Sequence, residues 1–314
     1  MTPLAGRVAL VAGATRGAGR AIAVELARAG ARVYATGRSS RTSGRSEIGR
    51  PETIEDTGDL IAAAGGTGAG LVVDHEDPDA VRALLARVEA ETGRLDVLVN
   101  DIFGGDRYAQ WHKPLWEHDL AGGLRMLRMG VDTHLITSAI ALPLLLRTGP
   151  GLVVEMTDGT SKVNADYRDG TGFYYDLVKA NVARIVLGLT AELADHPVTA
   201  VGVTPGWLRS EQMLEGFGVT EATWRDACAG QPGFAISESP AYVARGIAAL
   251  AADERADRFA GRVLSSYDLA DAYGVTDTDG SRPDCWGMIE KYGMSAADPA
   301  TIASFRHPAR PDRG

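Results

Sequence analysis

The chain has 314 residues, of which 45% are hydrophobic, and this is enough to bury one large core or two modest ones. Its formal net charge of -9 at pH 7 argues against nucleic acid or an acidic membrane surface as a partner, because both attract basic proteins. The two cysteines fit no disulfide framework or ligand spacing, and no uninterrupted apolar run has the length of a membrane helix, so we expect a cytoplasmic protein.

Short apolar runs alternate along the chain with longer segments of helical pattern. The runs that predict strands are residues 8–12, 32–36, 70–74, 95–100, 152–157, 198–204 and 262–265. Most of them lack period-2 alternation, which is typical of strands buried on both faces. Helices are predicted between them, over residues 19–29, 54–64, 80–91, a long stretch within 120–147, 172–194 and 240–252. This alternation predicts an α/β fold with a doubly wound, Rossmann-type parallel sheet of about seven strands in a single domain.

The end of the chain follows a different pattern. After about Tyr273 the sequence becomes irregular, with turn-rich stretches such as the Asp-Pro pair at 298–299. We therefore assign residues 1–280 to one domain. Residues 281–314 are predicted to form a C-terminal extension or an oligomer arm.

A cluster of glycines directly follows the first predicted strand and opens the first predicted helix. Gly13, Gly17 and Gly19 would let the backbone turn sharply and approach a pyrophosphate, which then binds at the helix N-terminus. A plain tight turn is the alternative. The strand–turn–helix context favours dinucleotide binding.

Tyr175 and Lys179 stand four residues apart in the predicted helix 172–194 and therefore share one helix face. The ammonium group can lower the pKa of the phenol and make it a usable acid near neutral pH. The alternative is a surface helix turn in which an aliphatic stem covers a ring. Lysine is scarce in this chain, and the glycine turn upstream favours the catalytic interpretation.

Five motifs occur together in one order over roughly residues 5–270. They are Gly13-Ala-Thr-Arg-Gly17-Ala-Gly19, Asp74 as the last residue of the third strand, Leu98-Val-Asn100-Asp-Ile-Phe-Gly104, the Tyr175 and Lys179 pair, and Pro205-Gly206-Trp-Leu-Arg-Ser210. In these motifs the chain resembles the short-chain dehydrogenase/reductase family. The resemblance implies that Tyr175 exchanges a proton with the substrate and that Lys179 lowers its pKa and holds the nicotinamide ribose.

The same resemblance implies a set of cofactor-binding residues. They are Gly13, Thr15, Arg16, Gly17, Gly19, Arg38, Asp74, Asn100, Tyr175, Lys179, Pro205, Gly206 and Ser210. An acidic residue at the end of the second strand would bind both ribose hydroxyls and repel a 2′-phosphate, but here that strand ends at Arg38. Because Arg16 and Arg38 supply positive charge instead, we expect NADP(H) to be the cofactor.

Two positions depart from the family pattern. By strand register Asp158 takes the place of the usual catalytic serine, although Ser161 is nearer the usual spacing before the tyrosine. Asp158 is alternatively a turn residue before Gly159. Gly130 takes the place of the usual helix asparagine and predicts a local bend or close approach.

Other polar residues carry less functional weight. His134 is interpreted as a packed or interface histidine, because no cluster of metal-type ligands accompanies it, and we predict no metal site. Small residues in the helix 172–194, together with the family's helix-to-helix contact, predict a homodimer or homotetramer.

The substrate is predicted from apolar and aromatic residues that follow strand ends. One group is Trp207, Leu208, Met213, Leu214, Phe217, Trp224 and Phe234, and a second is Trp111, His112 and Trp116. They indicate a pocket for a small, hydrophobic molecule. The expected function is NADPH-dependent reduction of a hydrophobic carbonyl or imine compound. The alternative is a non-redox protein of the same fold that keeps NADP(H) as a scaffold or sensor, or an isomerase-like enzyme.

Overall fold

The computed structural model describes residues 2–293 and 298–307, and its centre is a parallel sheet of seven strands. The strands are β1 (Val8–Ala12), β2 (Arg32–Gly37), β3 (Thr67–Val72), β4 (Val97–Asn100), β5 (Gly151–Met156), β6 (Val198–Thr204) and β7 (Val263–Ser265). Their order across the sheet is β3-β2-β1-β4-β5-β6-β7, and each neighbouring pair is parallel. The predicted doubly wound α/β fold in a single domain is confirmed.

Helices cover both faces of the sheet. They are α1 (Gly17–Arg28), α2 (Ile54–Ala63), α3 (Pro78–Thr92), α4 (Leu120–Leu127), α5 (Thr133–Thr148), α6 (Phe173–Glu192), α7 (Glu211–Gly216), α8 (Pro240–Ala251), α9 (Ser266–Tyr273), α10 (Cys285–Tyr292) and α11 (Pro299–Arg306). On one face Ile22 of α1 and Ile247 of α8 share a core with strand side chains. On the other face Leu85 of α3 and Leu145 of α5 do the same. The apolar runs are therefore buried from two sides, which explains their missing alternation.

The third strand lies earlier than the sequence predicts. β3 begins at Thr67 and ends at Val72, whereas residues 70–74 were expected. Its first half is rich in glycine, which hides the apolar signal of a strand. The glycine is needed, because a Cβ atom on Gly68 would lie 2.2 Å from the carbonyl oxygen of Val33 on β2. Asp74 therefore follows the strand and does not end it.

The long central helix is interrupted where glycine replaces the family's asparagine. A π-helical turn, Arg128–Asp132, joins α4 to α5. A Cβ atom on Gly130 would lie 2.5 Å from Cγ1 of Val178 on α6, so the glycine allows the two helices to approach. The run of residues 120–148 is long and apolar enough to cross a membrane by length and composition alone, yet 56% of its most apolar window is buried inside the protein. That burial is typical of a core helix.

The expectation of irregular structure after Tyr273 is wrong for the described residues, because α10 and α11 lie there. The Asp284 side chain accepts a hydrogen bond from a backbone N–H at the start of α10, and Asp298 does so for α11. Asp298 before Pro299 was interpreted as a turn, but this pair also starts helices. The role of residues 281–314 as an extension or oligomer arm stays a prediction.

Candidate functional site

A cleft of about 770 Å³ lies at the carboxyl ends of the central strands. It is lined by most of the residues that the sequence predicts for the site, namely Gly13, Thr15, Arg16, Gly17, Arg38, Asp74, Asp158, Tyr175, Lys179, Pro205, Gly206 and Ser210. The ends of parallel strands meet at one edge of a sheet, so residues distant in sequence converge there. Asn100 and Gly19 lie behind this lining.

The glycine turn depends on a close backbone contact. Gly13 has φ +88, and a Cβ atom there would lie 2.3 Å from the carbonyl oxygen of Asp101 after β4. A Cβ atom on Gly19 would lie 2.5 Å from the carbonyl oxygen of Gly13, so Gly19 packs the helix against the turn. Both positions require glycine, as the motif predicts.

The N-terminus of α1 already binds an anionic group of this chain. The Gly17 N–H donates to Oε2 of Glu211 over 2.9 Å, and Arg20 pairs with the same carboxylate over 3.2 Å. Glu211 begins α7 and stands in for an anion at a helix N-terminus, where a phosphate is also favoured. These residues therefore fit the pyrophosphate of a dinucleotide. The sequence analysis missed Glu211, which no spacing rule connects to the turn.

Asn100 points away from the cleft, into a buried polar cluster. Its Nδ2 donates to Ser138 over 2.9 Å and to Glu155 over 2.8 Å. Glu155 also contacts Nδ1 of His134 over 2.6 Å. Burial opposes protonation of His134, but the charges of Glu155 and Asp101 and the hydrogen bonds to Glu155 and the Ile102 carbonyl together outweigh it and raise the pKa of the imidazole. His134 is thus a packed histidine, and the cofactor role of Asn100 stays a prediction.

Asp101 is a polar residue of the cleft that the sequence analysis missed. Its side chain lies beside Gly19, and burial raises its pKa to about 6 against the charge of Lys179. A carboxyl group directly after a central strand is the signal that identifies such a residue.

Tyr175 and Asp158 are in contact at the cleft wall. The phenol hydroxyl of Tyr175 donates to Oδ2 of Asp158 over 3.1 Å. Burial, and then the Asp158 charge, raises the pKa of Tyr175 well above its ordinary value. The neighbouring carboxylate stabilises the neutral phenol and sets the direction of this pKa, and the expected lowering by Lys179 stays a prediction.

Lys179 is held among aromatic rings. Its Nζ lies 3.6 Å from the ring centre of Phe103 and 5.3 Å from that of Tyr175. Burial lowers the pKa of Lys179, although the charges of Asp158, Asp106 and Asp101 act in the other direction. The ammonium group makes no hydrogen bond to the part of the chain that the structure describes.

The structure separates the two candidates for the serine position. Asp158 lines the cleft and contacts Tyr175, whereas Ser161 is exposed and lies outside the lining. Asp158 also pairs with Arg168, whose Nη1 lies 3.2 Å from Oδ2 of the carboxylate. Sequence reasoning did not find Arg168, which lies in the loop before α6. Tyr174, the residue before Tyr175, is buried and packs against His118.

The two arginines at the adenosine end differ in their surroundings. Arg38 lies 3.2 Å from Glu76 and 3.6 Å from Glu47, so its charge is already balanced by carboxylates. Arg16 makes no ion pair with any described residue, and burial lowers its pKa.

The other end of the cleft is apolar. The segment between β6 and α8, residues 206–238, is called the lid segment here, and it contributes Trp207, Leu208, Met213, Phe217 and Ile236 to the lining. Trp224 and Phe234 are buried behind them, and Leu214 lies outside the lining. All three members of the second aromatic group, Trp111, His112 and Trp116, are exposed and lie outside the lining, so the structure does not bring them into the pocket. Trp111 still packs near the cleft wall, with its ring centre 5.1 Å from that of Tyr175.

The C-terminal helices complete this apolar wall. Cys285, Trp286, Met288 and Ile289 of α10 line the cleft, and Nε1 of Trp286 donates to the carbonyl oxygen of Pro205 over 2.7 Å. Arg306 of α11 pairs with Asp279 over 2.6 Å and donates to carbonyl oxygens of the lid segment. The sequence analysis assigned these residues to an extension, and the structure places part of it in the site.

Comparisons with known proteins agree with this geometry. The sequence model of a family described as short chain dehydrogenase matches residues 7–217. The chain is 31% identical to dehydrogenase/reductase SDR family member 1 of Mus musculus over 285 residues, which are 89% of this chain and 86% of the mouse protein. It is 26% identical to a 7alpha-hydroxysteroid dehydrogenase of Clostridium sardiniense over 215 residues, or 68% of this chain and 76% of that enzyme. A solved hydroxysteroid dehydrogenase from Escherichia coli has a TM-score of 0.65 at 21% identity, covers 83% of this chain and 95% of its own, and supports the fold alone.

Glu238, at the end of the lid segment, yields a testable pH dependence. Its Oε1 accepts from Ser266 over 2.6 Å, Oε2 is buried without a described partner, and burial raises its pKa from 4.5 to about 8. Between these two values the unfolded chain has lost the proton and the folded chain has kept it. Stability should therefore fall as pH rises through this window, by up to about 1.4 kcal/mol per pH unit.

Glu238→Gln should remove this fall and make the protein more stable than the unmutated chain at pH 8, with a smaller difference at pH 5. Urea unfolding at both pH values measures the effect, and Glu254→Gln on the exposed surface is the matched control. The same stability difference at pH 5 and pH 8 would show that Glu238 is ionised in the folded protein.

Proposed function

The chain belongs to the short-chain dehydrogenase family, and we propose that it is an NADPH-dependent reductase of a hydrophobic carbonyl or imine compound. Membership makes it an oxidoreductase that uses a nicotinamide cofactor. The observation that carries the proposal is the convergence of Tyr175, Asp158 and Lys179 in one cleft with the glycine turn.

NADPH is favoured over NADH by the charges at the adenosine end. Arg16 has no ion pair among the described residues, and Arg38 follows β2, where NAD-preferring sites have an acid. Guanidinium groups bind phosphate oxygens with charge-assisted hydrogen bonds. The carboxylates of Glu47 and Glu76 beside Arg38 oppose this preference and reduce its size.

Tyr175 is proposed as the proton donor. When bound, the reduced cofactor supplies a hydride to the substrate carbon. The raised pKa of Tyr175 keeps its proton in place until the substrate accepts it. Lys179 holds a positive charge near the phenol, which favours the tyrosinate that remains after transfer.

Asp158 is proposed to select the substrate. A carboxylate only accepts hydrogen bonds, so it disfavours an oxyanion that develops on a reduced carbonyl. It favours a protonated imine, whose positive charge it stabilises. The Asp158 side chain accepts hydrogen bonds from Arg168 and Tyr175, and both bonds are made to Oδ2 and not to Oδ1. The carboxylate therefore keeps one oxygen for an N–H group of the substrate.

A homodimer or homotetramer is proposed for the assembly. In the family the helix with the Tyr–Lys pair and the preceding long helix meet across a two-fold axis. Here these helices expose leucines to solvent, with Leu187 of α6 51% exposed and Leu135 of α5 48% exposed. A second copy of the chain would cover them.

The cofactor assignment predicts a ranking of variants. Arg16→Ala should weaken NADPH binding about tenfold or more, because charge-assisted hydrogen bonds contribute about 1.5–3 kcal/mol. Arg38→Ala should also weaken it, by less than Arg16→Ala, since carboxylates already neutralise that side chain. Dissociation constants for NADPH and NADH from fluorescence titration measure both effects, and NADH serves as the internal control. Equal affinity of the unmutated protein for both cofactors would contradict the assignment.

The substrate assignment is tested by a screen of ketones, aldehydes, quinones and cyclic imines with NADPH, followed as loss of NADPH absorbance. Tyr175→Phe should lower kcat about a hundredfold or more. Asp158→Asn should lower kcat on imines about tenfold or more with NADPH affinity nearly unchanged, and Asp158→Ser should favour ketones. Full activity of both Asp158 variants would return Asp158 to a turn role. No NADPH consumption with any compound would favour the non-redox alternative.

The assembly is tested by light scattering at micromolar concentration. The unmutated protein should have the mass of a dimer or tetramer, and Leu187→Glu should shift it toward the monomer, because the charge would be buried in the contact. Leu60→Glu, on the similarly exposed surface of α2, is the matched control and should not change the mass. A monomer without any substitution would refute the proposal.

A further inference from the structure

Arg168 is the one cation in contact with Asp158 among the described residues. It lies in the loop between β5 and α6, with its side chain 15% exposed. Its Nη1 donates to Oδ2 of Asp158 over 3.2 Å, and its Nε donates to Oδ1 of Asp176 over 3.2 Å. Its backbone N–H also donates to Asp176 over 3.2 Å. One guanidinium group thus joins a carboxylate of the cleft wall to a buried carboxylate of α6.

Arg168 and Tyr175, the proposed proton donor, donate hydrogen bonds to the same carboxylate oxygen. Oδ2 of Asp158 accepts from Arg168 and from the Tyr175 hydroxyl, so two donors fix the orientation of the carboxyl group. The guanidinium carbon also lies 5.9 Å from the ring centre of Tyr175. Nη2 of Arg168 is buried and has no hydrogen-bond partner in the described chain. The guanidinium group therefore interacts with Asp158, Asp176 and the Tyr175 ring.

Arg168 is the group that balances the charge of Asp158. Tyr175 is neutral, Lys179 is a second cation nearby, and the buried thiol of Cys285 is neutral because burial raises its pKa to about 12. Without Arg168, Asp158 and Asp176 would lie close together with no cation in contact with either. Like charges disfavour ionisation of both carboxyl groups, and an opposite charge in contact favours it.

We propose that Arg168 is a positioning residue that orients Asp158 and balances its charge, and thereby selects substrates that present a positively charged or N–H-bearing centre. The inference rests on the proposed reductase function and adds the residue that sets its substrate class. A protonated Asp158 would donate a hydrogen bond as a serine does and would suit a ketone. An Asp158 paired with Arg168 accepts, and it suits an imine.

The test is the pH dependence of kcat/KM on the best imine of the screen. In Arg168→Gln the acid limb, where activity falls with falling pH, should move up by about one pH unit or more, because the carboxylate loses its cation. Arg168→Lys keeps a positive charge, so its acid limb should lie close to that of the unmutated protein. Asp176→Asn frees Arg168 for Asp158 alone, so its acid limb should stay in place or move down.

An upward shift of the acid limb in Arg168→Gln without an upward shift in Asp176→Asn separates this role from a structural one, in which loss of either partner would loosen the loop alike. Arg94→Gln is the matched control, since Arg94 makes a similar two-point contact with Asp96 far from the cleft. An unchanged acid limb in Arg168→Gln would overturn the inference. So would a further tenfold loss when Arg168→Gln is added to Asp158→Asn, because Arg168 would then act without Asp158.

A measurement without substrate separates failure of this inference from failure of the proposed function. A double-mutant cycle of Arg168→Gln and Asp158→Asn on urea unfolding should be non-additive at pH 7, and the coupling should shrink at acid pH as the carboxylate gains a proton. If Arg168→Gln does not fold, Arg168→Lys replaces it in the cycle, and the coupling free energy should again be non-zero but smaller. Additive effects at pH 7 would refute the contact, whereas absence of NADPH consumption by the unmutated protein would refute only the reductase function.

Discussion

The structure depends on one constraint, which is that all seven strands run in the same direction. Each carboxyl end therefore lies at one edge of the sheet, and the chain must return over the faces before every new strand. Gly13 after β1, Asp101 after β4, Asp158 after β5 and Pro205 after β6 meet at that edge although nearly two hundred residues separate the first from the last. The Gly13 backbone can touch Asp101 only because it lacks a Cβ atom. A side chain there would push apart the two strand ends between which the cleft opens.

The sequence predicts those parts of the fold that local chemistry decides. Apolar runs without alternation predicted six of the seven strands to within two residues, because a strand buried on both faces leaves no other pattern. Gly30, Gly65 and Gly93 follow the first three predicted helices within two residues, and all three have positive φ, where a side chain would be strained. The spacing of Tyr175 and Lys179 predicted a shared helix face, and both side chains line the cleft.

The sequence does not predict contacts that join distant segments. Arg168 pairs with Asp158 across a loop of irregular conformation, and Glu211 reaches the N-terminus of α1 from the lid segment. Neither contact leaves a periodic signal, because each depends on how the loops fold over the sheet edge. The direction of the Tyr175 pKa was not predicted for the same reason, since it is set by burial and by the carboxylate of Asp158 that accepts from the hydroxyl. Side-chain charge states are properties of the assembled cleft.

The position of α10 has a consequence for how the protein is made. Trp286 and Gly17 line the same cleft, so the segments that contain them must both be synthesised before the cleft is complete. Contact between α1 and α8 imposes the same requirement on the core. At a synthesis rate of roughly 5–20 residues per second, the glycine turn waits about 15 to 50 seconds for the residues that enclose it. During that interval the apolar side chains that line the cleft have no partner from α10, and exposed apolar surface of this kind makes a nascent chain prone to aggregation.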